Sequence, residues 1–346
     1  MTAEARPRTA RALALSAALA AAATLVFSDG AAAAPQSCEL SMLPAPADTA
    51  SGASSLSDSG QYIVGAAYTT DPFDPAVNTP LLWQDGQKTE IPIAGLDQAL
   101  TDVNDSGVAV GYAFTENGDV PYVYRDGQLT ELPHTGGSWA EGINNDGVII
   151  GSRDTDNGAV PVRWPADGGG PVDLALPDGA LTGGANAIGA DGTIVGSVDY
   201  DTASFPYKWA PDGTGSSLPI PEGKVIKDFG SAAYDINGQW AVGDLFSEES
   251  EDTVRWDLAT GAADILDLHF ANGVNVSGWV GGDNDEHAVL IADGTAITLP
   301  DNGGTDGFAS SAADVNDAGD LVIGEVTVGE NQIGLPYSGA AIWRCT

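Results

Sequence analysis

The chain is poor in basic residues, cysteine and histidine. It holds 12 lysines and arginines against 49 aspartates and glutamates in 346 residues, with two cysteines and three histidines. The resulting net charge of -37 repels phosphate backbones and anionic lipid headgroups, so no nucleic acid and no acidic membrane is expected as a partner. The same charge keeps an extracellular protein soluble, and it favours basic partners or divalent cations.

The sequence signatures of several enzyme classes are also missing. There is no His-Glu-x-x-His and no Cys-x-x-Cys, so a zinc centre is not expected. Neither a Gly-x-Ser-x-Gly elbow nor a glycine-rich phosphate loop occurs. A catalytic site assembled from distant parts of the chain stays open, because such sites are spatial rather than local.

The one long apolar run lies at the N-terminus. Three arginines precede an apolar stretch from Ala12 to Phe27, and small residues follow up to Ala34. This order is typical of a signal peptide over residues 1–34, and the run is too short for a comfortable membrane span. We therefore expect a secreted, extracellular protein without membrane insertion, whose mature chain keeps 9 basic and 47 acidic residues.

A unit of about 40 to 47 residues, the length of a four-stranded propeller blade, occurs seven times after this segment. It reads Val/Ile-Asn, Asp-Ser/Asp-Gly, two or three apolar residues, glycine, a variable stretch, Pro-x-x-Trp, a glycine turn and Leu-Pro. The glycine after the apolar residues falls at Gly65, Gly111, Gly151, Gly196, Gly243, Gly282 and Gly324. The aromatic anchor falls at Trp83, Tyr124, Trp164, Trp209, Trp256, Ile291 and Trp343, where Ile291 marks the weakest repeat.

The segments of the unit are β-branched and aromatic, bounded by Gly, Pro and Asp, and too short for helices. In the second unit they predict strands near 100–104, 108–114, 121–125 and 128–132. The sequence thus predicts an all-β fold, a seven-bladed β-propeller with four-stranded blades, as a single domain over residues 35–346. The predicted blade units are about 51–93, 99–133, 139–177, 184–219, 231–268, 269–300, and 309–346 together with 38–46.

The two ends of the mature chain complement each other. The last unit stops at Thr346 without the closing strand that earlier units have, and the segment from Cys38 to Pro44 matches that missing strand. We expect the N-terminal strand to complete the last blade and a disulfide between Cys38 and Cys345 to close the ring. The alternatives are free or intermolecularly bonded thiols, or a lipid anchor on Cys38.

The repeats resemble the extracellular HAF repeat family of secreted bacterial proteins. The match is carried by residues 102–111, 142–151 and 314–319, which read DVNDSGVAVG, GINNDGVIIG and DVNDAG, and it covers almost all of the mature chain. The resemblance implies a repeat architecture and secretion, and it offers no catalytic motif. Residues 236–238 shorten the motif in the fifth unit, and Gly189 replaces the asparagine in the fourth.

Two sets of polar residues are candidates for binding a metal, with calcium as the one cofactor considered. The Asn-Asp-Ser-Gly turns alternate oxygen donors as calcium loops do, but they are too short for six ligands, and a hairpin turn explains them better. The longer acidic loops are the stronger candidates, although solvated loops are the commoner outcome. Their ligands would be Asp154 and Asp156 in one loop, and Asp283 and Asp285 in another.

Loop lengths indicate which face of the ring binds a ligand. The links between first and second strands are tight, whereas the second-to-third links and the links between blades vary in length and lie on the opposite face. We call this opposite face the variable-loop face. Candidate ligand-binding residues on it are Trp139, Phe229, Phe308, Lys224 and Lys227, although the rings could instead fill gaps between blades.

Two functions remain open at this point. The first is a monomeric, non-enzymatic module or scaffold that recognises an extracellular protein, peptide or glycan through the variable-loop face. The second is an extracellular carbohydrate-active hydrolase or lyase that uses paired carboxylates at the channel mouth. Propellers host many functions, so the fold does not choose between them.

Overall fold

In a computed structural model, the protein is described over residues 33–71, 78–247, 250–303 and 309–346. Within these residues 28 strands form seven antiparallel sheets of four strands each. Neighbouring sheets pack face to face around a common axis, so the predicted seven-bladed β-propeller is confirmed. The predicted signal peptide lies almost wholly outside the described residues.

Each blade runs from an innermost strand at the axis to an outermost strand at the rim. In blades 1 to 3 the strands are β2 (Thr49–Leu56), β3 (Tyr62–Thr69), β4 (Thr79–Gln84), β5 (Gln87–Glu90); β6 (Leu96–Val103), β7 (Ala109–Thr115), β8 (Gly118–Arg125), β9 (Gln128–Glu131); and β10 (Ser138–Ile143), β11 (Ile149–Thr155), β12 (Gly158–Trp164), β13 (Val172–Asp173). The predicted strands of the second unit therefore exist, and β6 begins four residues earlier than expected.

The remaining blades follow the same plan. Blades 4 to 6 consist of β14 (Thr182–Ile188), β15 (Ile194–Asp199), β16 (Ser204–Trp209), β17 (Gly215–Ser217); β18 (Ala232–Asn237), β19 (Trp240–Phe246), β20 (Glu251–Asp257), β21 (Ala262–Ile265); and β22 (Phe270–Val274), β23 (Val280–Asp283), β24 (Ala288–Ala292), β25 (Thr295–Thr298). Blade 7 consists of β26 (Ser310–Val315), β27 (Leu321–Glu330), β28 (Pro336–Cys345) and the N-terminal β1 (Cys38–Met42).

The ring is closed by β1, which pairs antiparallel with β28. Cys38 lies opposite Cys345 in this pairing and is joined to it by a disulfide. The predicted closure is confirmed in both parts. The first and last strands of the domain are therefore held by a ladder of hydrogen bonds and by one covalent bond.

A β-bulge in every innermost strand explains the repeated glycine. At each bulge the pairing skips one residue, as at Glu141 between Ala140 and Gly142, and the strand is pushed towards its neighbour. A Cβ on Gly151 would lie 2.0 Å from the Trp139 carbonyl oxygen, and the corresponding separations in the other blades are 1.9 to 2.1 Å. Any side chain at this position would collide with backbone, so glycine is required seven times.

Tryptophan anchors join five of the seven blades to the blade before them. The Trp164 indole donates a hydrogen bond of 2.7 Å to the Pro133 carbonyl, at the Leu-Pro end of the preceding blade. The same contact is made by Trp83 to Pro44, Trp209 to Ala175, Trp256 to Pro219 and Trp343 to Pro300. The two motifs of the repeat are thus the two halves of one interface between blades. Blades 2 and 6 lack this anchor and have Tyr124 and Ile291 in its place, and the buried Trp279 packs into the core between blades 6 and 7.

Removing the disulfide should lower the free energy of unfolding without changing the fold. The two cysteines are 307 residues apart, so the bond restricts a very long loop of the unfolded chain. Chain entropy sets a ceiling of about 5 to 6 kcal/mol, and we expect a loss of about 2 to 5 kcal/mol. Denaturant unfolding of the variant Cys38→Ser/Cys345→Ser checks this against the reduced wild type, which should match the variant. A variant as stable as the oxidised protein would contradict the closing role.

Replacing a glycine that faces a bulge should destabilise the ring far more than replacing a glycine with open space around it. Gly151→Ala should cost roughly 3 kcal/mol or more, because the new methyl group collides with the Trp139 carbonyl. Gly170→Ala is the matched control, since a Cβ there meets nothing within 4 Å. Thermal unfolding of both variants measures the difference. Similar losses in the two variants would rule out the close approach.

Candidate functional site

The seven innermost strands enclose a cavity of about 170 Å3 at the axis of the ring. Three consecutive levels of residues line it: the bulge residue of every innermost strand, the residue after the bulge in five blades, and residues at the following turn in blades 1 to 5. We call this cavity the axial pocket. The bulge level lies nearest the variable-loop face, and the turn level lies at the opposite, tight-turn end.

Hydrogen bonds that cross the axis join the blades at the tight-turn end of the pocket. Asn145 of blade 3 donates to Asp58 of blade 1 and to Asp105 of blade 2, each at 3.0 Å. Asn237 of blade 5 donates to Asp317 of blade 7 at 2.8 Å and to Asp58 at 3.4 Å. These side chains form a floor, so the pocket faces the variable-loop side.

The asparagines of the turns serve the backbone. The Asn104 side-chain oxygen accepts hydrogen bonds from the backbone of Ser106 and Val108, at 3.0 and 3.1 Å, and closes its own turn. Its nitrogen donates to the Asn144 carbonyl of the next blade at 3.1 Å. This arrangement is the hairpin role expected for these residues, extended by a contact between blades.

Three aspartates form the middle level, and each joins its own blade to the next. The Asp102 carboxylate accepts from the backbone N–H groups of Val103 and Ile143, both at 2.7 Å, and from Ser55 at 2.8 Å. Asp235 accepts from the backbone of Val274, and Asp314 from that of Leu56. The carboxylates therefore satisfy buried backbone donors on neighbouring blades.

These aspartates sit close enough to repel one another. Burial raises the pKa of Asp102 to about 7 and that of Asp235 to about 6, although their hydrogen bonds act in the opposite direction. The pKa of Asp314 is also raised, by burial and by the charges of Asp235 and Asp102. At the floor, burial and the carboxylates of Asp317 and Asp105 raise the pKa of Asp58 to about 6. The pocket thus groups carboxyl groups whose burial and mutual repulsion oppose ionisation.

On the bulge level most donors are used by the adjacent blade. The side chains of Thr101, Asn186 and Asn272 donate to the carbonyls of Ala140, Ala233 and Ala312, at 2.9, 2.8 and 2.9 Å. Each of these carbonyls belongs to the residue just before the bulge of the next blade. The bulge residues therefore form a second set of links around the ring.

Glu141 is the exception on this level. Among the described carboxylates that line the pocket, it is the one with no hydrogen-bond partner, and burial raises its pKa to about 7. Tyr234, two blades along the ring, turns its hydroxyl away to the Gly230 carbonyl at 3.1 Å and leaves its ring at the pocket wall. Sequence analysis missed this level, because a bulge residue has no signature of its own in the repeat.

The predicted aromatic and basic residues take different positions on the variable-loop face. Trp139 lies half-buried within β10, and Phe229 is 53% exposed on the link into blade 5. Lys224 pairs with Asp252 at 2.6 Å and so fastens that link to blade 5, and Lys227 also has an interaction partner. Phe308 lies outside the described residues. None of the four described residues lines the axial pocket.

The predicted acidic loops do not assemble a metal centre in the described part of the chain. Asp154 and Asp156 are exposed, and no group of three ligand-type side chains converges anywhere in the described residues. Asp283 is buried and accepts from Ser311 at 2.9 Å. Asp285 lies 2.9 Å from the His269 ring nitrogen. The two carboxylates of this loop therefore contact neighbouring parts of the protein.

An acidic position recurs in blades 5 to 7 directly after the repeated glycine. It holds Asp244, Asp283 and Glu325, where the first four blades have uncharged residues. Asp244 is fully buried, and its second carboxylate oxygen has no hydrogen-bond partner. Burial raises its pKa to about 7, and its charge acts on Tyr234 at the pocket. Alignment of the repeats is the signal that finds these residues.

Exposed apolar side chains concentrate on the variable-loop face. Of the 13 large apolar residues that are exposed in the described chain, eight lie on its loops or adjoining strand ends: Leu96, Phe114, Leu181, Val225, Phe229, Val328, Ile333 and Leu335. Three lie on outermost strands, Tyr234 lines the pocket, and Val276 alone lies on the tight-turn face. The two faces therefore differ sharply in apolar surface.

Stability should fall as the pH rises, and Glu141→Gln should reduce that fall. A group whose pKa is raised by folding stabilises the native state below its unfolded pKa, and this contribution is lost as the pH rises through the folded pKa. For Glu141 the window runs from about 4.5 to about 7. We expect the wild type to lose stability from pH 5 to pH 8, and the variant to lose roughly 1 to 3 kcal/mol less.

Urea unfolding at both pH values measures this effect. Glu116→Gln is the matched control, because Glu116 is exposed on a loop of the same face. An equal pH dependence in all three proteins would show that Glu141 is not buried as described.

The comparisons with known proteins bear on the fold. The chain matches no family model and no curated protein. Among solved structures it is similar to virginiamycin B lyase from Staphylococcus aureus, with 13% identity over 89% of this chain and 99% of that chain and a TM-score of 0.57. It is also similar to the β-propeller domain of the Trilobed protease from Pyrococcus furiosus, with 12% identity, coverage of 84% and 94% and a TM-score of 0.55.

A third similar structure is YCF48 bound to D1 peptide, with 14% identity over 91% of this chain and 98% of that chain and a TM-score of 0.50. These proteins differ in what they do, and their identity to this chain is low. The likeness therefore shows the β-propeller fold and assigns no activity to this chain.

Proposed function

We propose that the chain is a secreted, non-enzymatic binding or scaffold propeller that recognises an extracellular protein, peptide or glycan through the variable-loop face. The observation that carries the proposal is the concentration of exposed apolar side chains on that face. Apolar groups grouped on one face of a soluble protein are typical of interaction sites.

The construction of the two faces supports the same proposal. The tight-turn face is tied together across the axis by the hydrogen bonds of Asp58, Asn145 and Asn237. The variable-loop face carries the mouth of the axial pocket and links whose length is free to vary. A ligand therefore finds both a concave centre and an apolar surround on this side. YCF48, a propeller of similar fold, is bound to a D1 peptide, so a ring of this kind accommodates a peptide.

The arrangement of the pocket carboxylates favours binding over glycoside cleavage. A hydrolase with two carboxylates needs a free acid and a free base or nucleophile at the scissile bond. In the described pocket Asp102, Asp235 and Asp314 are used by backbone N–H groups and Asp58 by the side chains of Asn145 and Asn237, so Glu141 is the one lining carboxylate without a hydrogen-bond partner. The hydrolase or lyase stays the second candidate, and its second catalytic group would have to come from outside the pocket.

Secretion is part of the proposal. It is supported by the signal-peptide pattern of residues 1–34 and by the disulfide, which forms in oxidising compartments. In the part of the chain that the structure describes, no helix is long and apolar enough to cross a membrane. Membership of the HAF repeat family and a monomeric state belong to the same proposal, and calcium stays the one cofactor to be tested.

Polar substitutions on the variable-loop face should weaken partner binding. In Leu181→Ser/Phe229→Ser two exposed apolar side chains are lost, so we expect the protein to retain its partner from the extracellular medium at least roughly tenfold less well. The control is Val172→Ser/Ile265→Ser, in which two side chains of similar exposure on the rim are changed. Quantitative pull-down with immobilised wild type and both variants, each checked for its melting temperature, measures the difference. Equal loss in both variants, or loss only in the control, would overturn the assignment of the face.

A further inference from the structure

On the bulge level of the axial pocket, free hydrogen-bond acceptors outnumber free donors. We propose that this pocket binds the ammonium group of a primary amine, such as the end of a lysine side chain. The proposal rests on the proposed function, because the amine would belong to a ligand on the variable-loop face, and it adds the chemical class of that ligand.

Three acceptors without a donor line the wall of the pocket, on blades 3, 4 and 6. The Glu141 carboxylate has no hydrogen-bond partner. Asn186 and Asn272 each use the side-chain nitrogen for a carbonyl of the next blade, which leaves the side-chain oxygen without a donor. The orientation of both amides is fixed, since a carbonyl accepts only from the nitrogen. An ammonium group offers three donors and no acceptor, and therefore complements this set.

Most donors of the same level are used by the protein. Thr101, Asn186 and Asn272 donate to backbone carbonyls, and the Tyr234 hydroxyl donates to Gly230, which leaves one N–H of Asn186 free. An anion would meet three free acceptors and a single free donor, whereas a group with several donors would match the acceptors. The pocket therefore selects for a group that is rich in donors.

An aromatic wall lies within the same arc. Glu141, Asn186, Tyr234 and Asn272 come from the four successive blades 3 to 6, so they line one side of the pocket. The Tyr234 ring is available as a face for a cation. The other three blades contribute the small residues Ser54, Thr101 and Ala313, which leave room for a ligand chain to enter opposite.

The electrostatic field has the sign that an ammonium group requires. Asp58, Asp102, Asp235 and Asp314 line the pocket below Glu141, and no lysine, arginine or histidine is among its described lining residues. Asp244, fully buried with one unpartnered carboxylate oxygen, adds charge behind Tyr234. Removing a solvated ammonium from water is costly, and the carboxyl groups around the pocket offset that cost.

A bare metal ion fits the pocket less well than an amine. The carboxylate oxygens of the three middle aspartates already accept backbone hydrogen bonds, and no group of three metal-ligand side chains converges in the described residues. A cavity of about 170 Å3 also exceeds what one dehydrated ion fills. A primary amine with its attached carbon chain uses both the acceptors and the space.

Calorimetric titration tests the proposal with small probes. The probes are cadaverine as a free diamine, a short peptide with a blocked N-terminus and one lysine, and the same blocked peptide with that lysine acetylated. We expect the two amines to bind and the acetylated peptide to bind at least roughly tenfold more weakly, because acetylation removes the charge. The amine that binds more tightly shows whether the ligand is a lysine side chain of a protein or a free amine.

Matched variants locate the binding. Glu141→Gln should weaken binding roughly tenfold or more, through loss of a charge-assisted hydrogen bond, whereas Glu116→Gln on the same face should not. Tyr234→Leu, compared with Tyr234→Phe, isolates the aromatic wall and should weaken binding several-fold. Melting temperatures of all variants show whether each one is folded.

Four results would overturn the proposal: no binding of either amine, equal binding of the acetylated peptide, full binding by Glu141→Gln, or calcium binding that depends on Glu141 without any amine binding. None of them affects the proposed function itself, because partner retention through Leu181 and Phe229 is measured separately. If the wild type retained no partner, the proposed function would be contradicted, and the result of the amine titration would be judged separately.

Discussion

The bulge in each innermost strand is the constraint on which the other features of the ring depend. It inserts one extra residue per blade, so two consecutive side chains face the axis where a regular strand would direct only one there. One of these two side chains contacts the next blade. The other lines the pocket or accepts hydrogen bonds from backbone N–H groups. The bulge also presses the strand against its neighbour, and glycine is the residue that permits this approach.

The same geometry explains how an acidic protein holds carboxylates at its centre. Asp102, Asp235 and Asp314 lie close together at the axis, which opposes ionisation, but each accepts a hydrogen bond from a backbone N–H group of the next blade. A polar group that is buried without a partner costs more than one that is hydrogen-bonded. The carboxyl groups at the axis therefore serve to pair the backbone at three of the interfaces between blades.

Sequence repetition predicted the fold because its motifs are interface residues. The glycine, the tryptophan and the Leu-Pro pair each make a contact that recurs around the ring, so each recurs in the sequence. The pocket was not predictable in this way. Its key residues are those that differ between blades, such as Glu141 and Tyr234, and their meeting depends on the closure of the ring. Lys224 is likewise a residue type that suits a ligand site, yet its ammonium group pairs with Asp252 of the adjacent blade.

A crystal structure of the protein with a lysine-containing peptide would test the central claim most directly, that the ring binds ligands from its variable-loop side into an acceptor-lined pocket. The account predicts the lysine ammonium beside Glu141, within hydrogen-bond distance of Asn186 or Asn272, above an intact floor of Asp58, Asn145 and Asn237. A peptide bound at the tight-turn face, or a channel open through that floor, would contradict it.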